Sequence, residues 1–193
     1  METRFSVRSF DSPLSPAMFQ KIPRNPVFVI LDNIRSAFNV GSIFRTADGV
    51  LVSKLYLCGI TAHPPHPKLE KTALGVLPFV PWEYRESTEE AISEMQAQGI
   101  RVVALETTDQ SRCIWEYRFS VPICLVLGNE VTGLSESVLS MADEVVEIPV
   151  MGYKNSINVA VAFGIAVAEI QRQHWGPSQV QKCVQHHSRY WGE

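Results

Sequence analysis

The sequence predicts an α/β fold in which a mainly parallel sheet is covered by helices on both faces. Short runs of apolar and β-branched residues alternate with segments of helical periodicity, as in successive βαβ units. The chain has 193 residues, of which 46% are hydrophobic, so it is long enough to form one substantial core. We therefore expect one α/β domain over residues 27–174, preceded by an N-terminal arm over 1–26 and followed by a C-terminal tail over 175–193.

The first predicted elements are the arm, a strand and a helix. Several prolines within residues 1–26 argue against a packed element there. The run "VFVILD" that follows is rich in apolar and β-branched residues and predicts a buried strand. A helix is expected over 39–50, because Ile43, Phe44 and Ala47 have the spacing of a face that packs on a sheet.

The next part of the chain contains two predicted strands, a loop and a helix. "KLYLCGI" predicts the second strand, and the proline-rich stretch over 61–75 predicts a long loop. "FVPWEY" predicts a short strand. A helix then begins at Ser87, where "STEE" has the pattern of a capping box with Glu90 at N3, and it ends at Gly99.

Three strands and two helices complete the predicted domain. The apolar runs "RVVALE", "VPICLVLG" and "EVVEIPV" are expected to be strands. A short helix capped by Ser135 lies between the last two of them, and a long helix over 156–173, with Ser156 as its N-cap, closes the domain. This alternation is typical of a doubly wound parallel sheet.

Composition argues against several classes of protein. No apolar run reaches the roughly 18 residues of a membrane span, and the first 20 residues lack the apolar stretch of a secretory signal, so we expect a cytoplasmic protein. No CxxC pair and no histidine at ligand spacing accompanies the cysteines, which argues against a zinc site and a disulfide framework. These cysteines are Cys58, Cys113, Cys124 and Cys183.

The charge distribution leaves two interpretations open. A net charge of −3 argues against a surface that binds phosphate throughout. However, residues 1–26 carry four basic side chains against two acidic ones, and residues 171–193 carry three against one. These basic ends fit either contact with a polyanion or simple solvation of two tails.

Polar side chains follow several of the predicted strands, at the edge where a doubly wound sheet binds its ligands. Each of them has an ordinary role as a turn or cap residue, but their placement along one edge indicates a binding site. They are Asn39, Arg45, Thr107, Thr108, Asn129, Glu130, Ser156 and Asn158. The site is not of a common nucleotide-binding or hydrolase type, because GxGxxG, GxxxxGK[ST] and GxSxG are all absent.

Three stretches at this edge carry a specific family pattern. "NVGSIFRTADG", "LVLGNEVTGLSESVL" and "IPVMGYKNSINVAVAFGIA" resemble, in this order, the three motifs of the SpoU/TrmH family of RNA ribose 2′-O-methyltransferases in the SPOUT superfamily. The resemblance implies S-adenosylmethionine as methyl donor, tRNA or rRNA as acceptor, no metal, and a homodimer. It also implies that the C-terminal part of the sheet is tied in a deep trefoil knot.

The resemblance also implies roles for individual residues. Arg45 matches the catalytic arginine, and since arginine stays protonated we interpret it as a cation that holds RNA and stabilises a developing alkoxide. The other matching catalytic positions are Asn39, Glu130, Ser156 and Asn158. The expected cofactor-binding positions are Thr107, Leu127, Gly128, Asn129, Ile148, Met151 and Ile157.

Two other functions stay open at this point. One is an RNA-binding protein of the same fold that has lost turnover, and the other is an adenosine-nucleotide-binding module unrelated to RNA. Among RNA substrates, tRNA is favoured over rRNA, because the chain resembles the small family members that lack an added RNA-binding domain.

Overall fold

A computed structural model describes Ser12 and residues 15–175 of the chain. Within it, Arg24–His174 form one compact unit. Most of the predicted arm and tail lies outside the described residues, including Cys183. The part of the arm that is described contains a single-turn helix, α1 (Pro16–Phe19), which the sequence did not predict.

Within the described residues, seven parallel strands form one sheet, which confirms the predicted fold class. The strands are β1 (Asn25–Asp32), β2 (Val52–Cys58), β3 (Trp82–Arg85), β4 (Arg101–Leu105), β5 (Arg112–Cys113), β6 (Ile123–Leu127) and β7 (Glu144–Glu147). Their order across the sheet is β3-β2-β1-β6-β4-β7-β5, and every pair is parallel. The trefoil knot that the family resemblance implies stays a prediction.

Helices cover both faces of this sheet. They are α2 (Ala37–Gly49), α3 (Pro67–Ala73), α4 (Thr88–Ala97), α5 (Glu136–Met141) and α6 (Val159–His174). Val29 and Leu31 of β1 belong to a core cluster with α2, α3 and α6, whereas Ile30 belongs to a second cluster with α4 and α5. Successive residues of β1 therefore point to opposite faces, as strand geometry requires.

The predicted helix caps are confirmed at two positions. The Ser87 hydroxyl accepts a hydrogen bond from the Glu90 amide at 3.3 Å, and the Ser135 hydroxyl accepts one from the Val138 amide at 3.3 Å. The predicted buried face of α2, formed by Ile43, Phe44 and Ala47, is fully buried.

The prediction that Ser156 caps the closing helix is wrong. The helix begins at Val159, and the side-chain oxygen of Asn158 accepts hydrogen bonds from the amides of Ala160, at 2.9 Å, and Val161, at 3.3 Å. Asn158 is therefore the N-cap, because its oxygen meets the free amides of the first turn. Ser156 lies three residues before the first helical residue, too early in the chain to be the cap.

Two further corrections concern the predicted loops. The stretch 61–75 is not a loop throughout, because α3 begins at Pro67, and proline is well suited to the first position of a helix. The two-residue strand β5 was missed, since a run so short carries no periodicity. Within the described ranges, no helix has both the length and the apolar character needed to cross a membrane.

Candidate functional site

The carboxyl ends of the central strands open into one cavity of about 420 Å³. β1, β6, β4 and β7 are consecutive neighbours in the parallel sheet, so the segments that leave β4 and β6 emerge side by side. The cavity is lined by residues 105–108 after β4, 127–134 after β6, 155–157 before α6, and by Leu139, Val159 and Ala162. This is the sheet edge at which the sequence predicted a binding site.

A chain of hydrogen bonds beside the cavity joins the three motif segments. The side-chain amide of Asn39, on α2, donates a hydrogen bond to the Glu130 carboxylate at 2.8 Å. The side-chain amide of Asn158 donates one to the side-chain oxygen of Asn39 at 3.1 Å. Asn158 is itself fixed as the N-cap of α6. The Glu130–Asn39–Asn158 chain thus connects residues that are 91 and 119 positions apart in sequence.

The Glu130 carboxylate accepts three hydrogen bonds. Besides Asn39, it accepts hydrogen bonds from the backbone amides of Arg35 at 2.8 Å and Ser36 at 3.1 Å, just before α2. Partial desolvation of the carboxylate would raise the pKa of Glu130, but these donors together lower it below its ordinary value. Glu130 is therefore held as an anion that ties the loop after β6 to the start of α2.

Asn129 holds the same loop by a different set of bonds. Its side-chain oxygen accepts hydrogen bonds from the backbone amides of Val131, at 2.9 Å, and Thr132, at 3.2 Å. Its side-chain NH₂ group donates one to the backbone carbonyl of Asn33 at 2.8 Å. Next to it, a Cβ on Gly128 would lie 2.7 Å from backbone atoms of the returning loop. Only glycine fits there, so the cavity wall is formed by closely packed backbone.

The structure brings together most of the predicted cofactor positions. Those that line the cavity are Thr107, Leu127, Gly128, Asn129 and Ile157. Ser156, predicted to be catalytic, lies on the same wall. Ile148 packs against the core instead, and the Met151 side chain is 99% exposed, so neither lines the cavity within one chain.

Glu106 is a cavity-lining residue that the sequence analysis missed. Its carboxylate accepts from the amides of Thr107 and Leu134, both at 3.0 Å, and it lies against Gly133, whose φ of +66° is in the left-handed region. It joins the loops after β4 and β6. Its position as the last residue of "RVVALE", at the carboxyl end of a strand, was the signal that could have identified it.

Arg45 does not line this cavity. It is exposed on the outer side of α2 and forms no ion pair with any residue in the described part of the chain. Asn39, six residues earlier on the same helix, does reach the hydrogen-bond chain. Six residues correspond to about 9 Å along a helix axis, so Arg45 lies about that far along α2 from Asn39.

Comparisons with known proteins identify the family of the chain. The model of the SpoU rRNA Methylase family matches residues 26–168. The tRNA (guanosine(18)-2′-O)-methyltransferase of Escherichia coli (strain K12) is 28% identical over 145 residues, which cover 75% of this chain and 62% of that protein. The chain thus spans less than two thirds of the length of this relative.

Two solved structures show the same fold. The SpoU methyltransferase AviRb from Streptomyces viridochromogenes, in complex with AdoMet, matches with a TM-score of 0.71 at 28% identity, covering 79% of this chain and 62% of that one. The A. aeolicus TrmH/SpoU tRNA modifying enzyme matches with a TM-score of 0.71 at 27% identity, covering 89% of this chain and 91% of that one. In both cases the similarity extends over more than three quarters of this chain.

Proposed function

Because the chain belongs to the SpoU rRNA Methylase family, we propose that it transfers a methyl group from S-adenosylmethionine to a ribose 2′-hydroxyl of structured RNA. The observation that carries this proposal is the Glu130–Asn39–Asn158 chain, which joins all three motif segments beside one cavity. In the reaction a carbon–sulfur bond breaks, an oxygen–carbon bond forms, and the hydroxyl proton is released.

We assign the methyl donor to the cavity after β4 and β6. Its volume falls within the range of small-molecule sites, and its walls of closely packed backbone can read the edge of a neutral adenine. Thr107, Gly128 and Ile157 are the residues proposed to hold the adenosine part. The relative AviRb, solved with AdoMet, supports this choice of cofactor.

The catalytic roles follow from the chemistry of each side chain. Arg45 supplies a permanent cation that can hold RNA and stabilise the developing alkoxide. Ser156 and Asn158, at the cavity and at the start of α6, are proposed to orient the ribose. Glu130 acts as a positioning residue, because its oxygens already accept hydrogen bonds and its lowered pKa makes it a poor proton acceptor.

A homodimer is part of the proposal. Arg45 lies outside the cavity lining of its own chain, and several large apolar side chains of α2, of α6 and of the segment before α6 are exposed to solvent. Those side chains are Phe38, Met151, Ile157 and Val161. A second copy that covers them would bury apolar surface and could bring another Arg45 to the cavity. Light scattering should give a dimer, whereas a mass of 21.6 kDa at micromolar concentration would contradict it.

We favour tRNA over rRNA as the substrate. The A. aeolicus TrmH/SpoU tRNA modifying enzyme is matched over 91% of its length, and this similarity to a tRNA-modifying enzyme supports the choice. The alternative, an RNA-binding protein without turnover, is disfavoured by the intact set of motif side chains and their mutual hydrogen bonds.

Methyl transfer to RNA tests the proposal. Tritium-labelled S-adenosylmethionine should label bulk tRNA more than bulk rRNA when the protein is added, and omission of RNA should abolish incorporation. Calorimetry should show binding of S-adenosylmethionine in preference to ATP and NAD. Binding of the cofactor without any labelling of either RNA would favour the catalytically silent alternative.

A further inference from the structure

A groove separate from the cavity runs between α2 and α3. It has a volume of about 490 Å³ and is lined by Ser42, Arg45, Thr46, Lys71, Thr72 and Leu74. We call it the α2–α3 groove. It shares no lining residue with the cavity after β4 and β6, so it is a separate depression on the surface of α2.

The α2–α3 groove is basic and rich in hydroxyl groups. Its lining includes two cations, Arg45 and Lys71, and no carboxylate. Neither cation forms an ion pair with any residue among those the structure describes, whereas Lys54, for example, is paired with Glu83. Two unneutralised cations in one groove attract an anion, which is unusual on a chain whose net charge is −3.

The walls of the groove are fixed by close contact between the two helices. A Cβ on Gly41 of α2 would lie 2.1 Å from the Thr72 hydroxyl and 2.5 Å from the Leu69 carbonyl of α3. The Thr72 hydroxyl also donates to the Phe38 carbonyl at 3.0 Å. The backbone that carries Lys71 is therefore already held against α2, so little ordering of the backbone is needed when a ligand binds.

We propose that the α2–α3 groove binds a backbone phosphate of the RNA next to the methylated nucleotide, with Lys71 as the second cation beside Arg45. This rests on the proposed function, because it identifies where the RNA enters. An arginine fork, a lysine charge and hydroxyl donors together suit a phosphate group, and such contacts position RNA without reading its sequence. Lys71 is thus a binding residue, and the half-exposed α3 is part of the RNA-binding surface.

The salt dependence of RNA binding tests this role. Binding of bulk tRNA is measured between 50 and 200 mM KCl, with S-adenosylhomocysteine present, for the parent, Lys71→Ala and Lys71→Arg. Loss of one phosphate contact should reduce the slope of log K against log salt by about 0.7 to 0.9, so the salt-induced loss of affinity becomes about threefold smaller. Lys71→Arg should keep the parent slope.

Lys68→Ala is the matched control, because Lys68 is an exposed lysine on α3 that does not line the groove. It should keep the parent slope, and cofactor affinity measured by calorimetry should be equal in all four proteins. An unchanged slope for Lys71→Ala, or an equal loss for Lys68→Ala, would overturn the groove proposal while leaving methyl transfer by the parent intact. Failure of the parent to bind or methylate RNA would instead overturn the proposed function.

Discussion

Replacing Glu130 by Gln tests whether this carboxylate organises the site or takes part in proton transfer. The carboxylate accepts hydrogen bonds from Arg35, Ser36 and Asn39 through both of its oxygens. A Gln side chain has one oxygen and one amide group, so at least one of these donors would face another donor. The substitution should therefore weaken the attachment of the loop after β6 to the segment that begins α2.

The expected loss of stability is modest. A hydrogen bond to a charged group contributes about 1.5 to 3 kcal/mol when buried, but Glu130 is exposed and screened by water, so we expect about 1 to 2 kcal/mol. Since the pKa of Glu130 is lowered in the folded state, this contribution is present above the ordinary value of 4.5 and disappears as the pH falls through the lowered pKa. The difference in free energy of unfolding between the parent and Glu130→Gln should therefore become smaller as the pH falls below 4.5.

Urea denaturation at fixed protein concentration, at pH 7 and at pH values below 4.5, measures this difference. Glu116→Gln serves as control, because Glu116 is exposed and its carboxylate accepts no hydrogen bond from the described residues. It should match the parent at every pH. A Glu130→Gln variant that is as stable as the parent at pH 7, or equally destabilised at all pH values, would refute the role given to the carboxylate.

Three further substitutions test other parts of the site. Arg45→Ala should bind S-adenosylmethionine like the parent, but its single-turnover rate of methylation should fall about 100- to 1,000-fold. Arg45→Lys should recover little of that rate. A parent-like rate for Arg45→Ala would remove Arg45 from the mechanism. Gly41→Ala should lower the free energy of unfolding, measured by heat or urea, by about 1 to 3 kcal/mol, because the new Cβ would overlap Thr72 and the backbone of α3. Asn158→Ala should lower the free energy of unfolding by about 1 kcal/mol in the same assay, because the helix cap is lost. The rate of methylation should fall by more than this loss of stability explains, because the Asn39 side-chain oxygen loses its hydrogen-bond donor.

Local sequence patterns were sufficient to predict the parallel sheet, most helices and the sheet edge at which the cavity opens. The buried face of α2 and the caps at Ser87 and Ser135 depend on residues three or four positions apart, which a sequence displays directly. Errors occurred where local signals were ambiguous. The prolines around α3 predicted a loop, although Pro67 is the first residue of that helix. Both Ser156 and Asn158 in "SIN" are residue types that cap helices, and Asn158 is the one that caps α6.

Contacts between distant segments could not be predicted from local patterns. The bonds that Glu130 and Asn158 make to Asn39 join residues about a hundred positions apart, and they depend on strand order in the sheet. The motif resemblance named these residues but gave no reason for their proximity. The α2–α3 groove was likewise hidden, because Lys71 was assigned to a loop and nothing in the sequence placed it beside Arg45.

The position of the transferred methyl group tests the central claim most directly. A 2′-O-methyl group blocks attack of that oxygen on the neighbouring phosphate, so alkali cannot cleave the RNA at a methylated ribose. RNA labelled by this protein from tritium-labelled S-adenosylmethionine should therefore release its label in alkali-resistant dinucleotides. Label recovered in mononucleotides after alkaline hydrolysis would show methylation of a base and would contradict the proposed reaction.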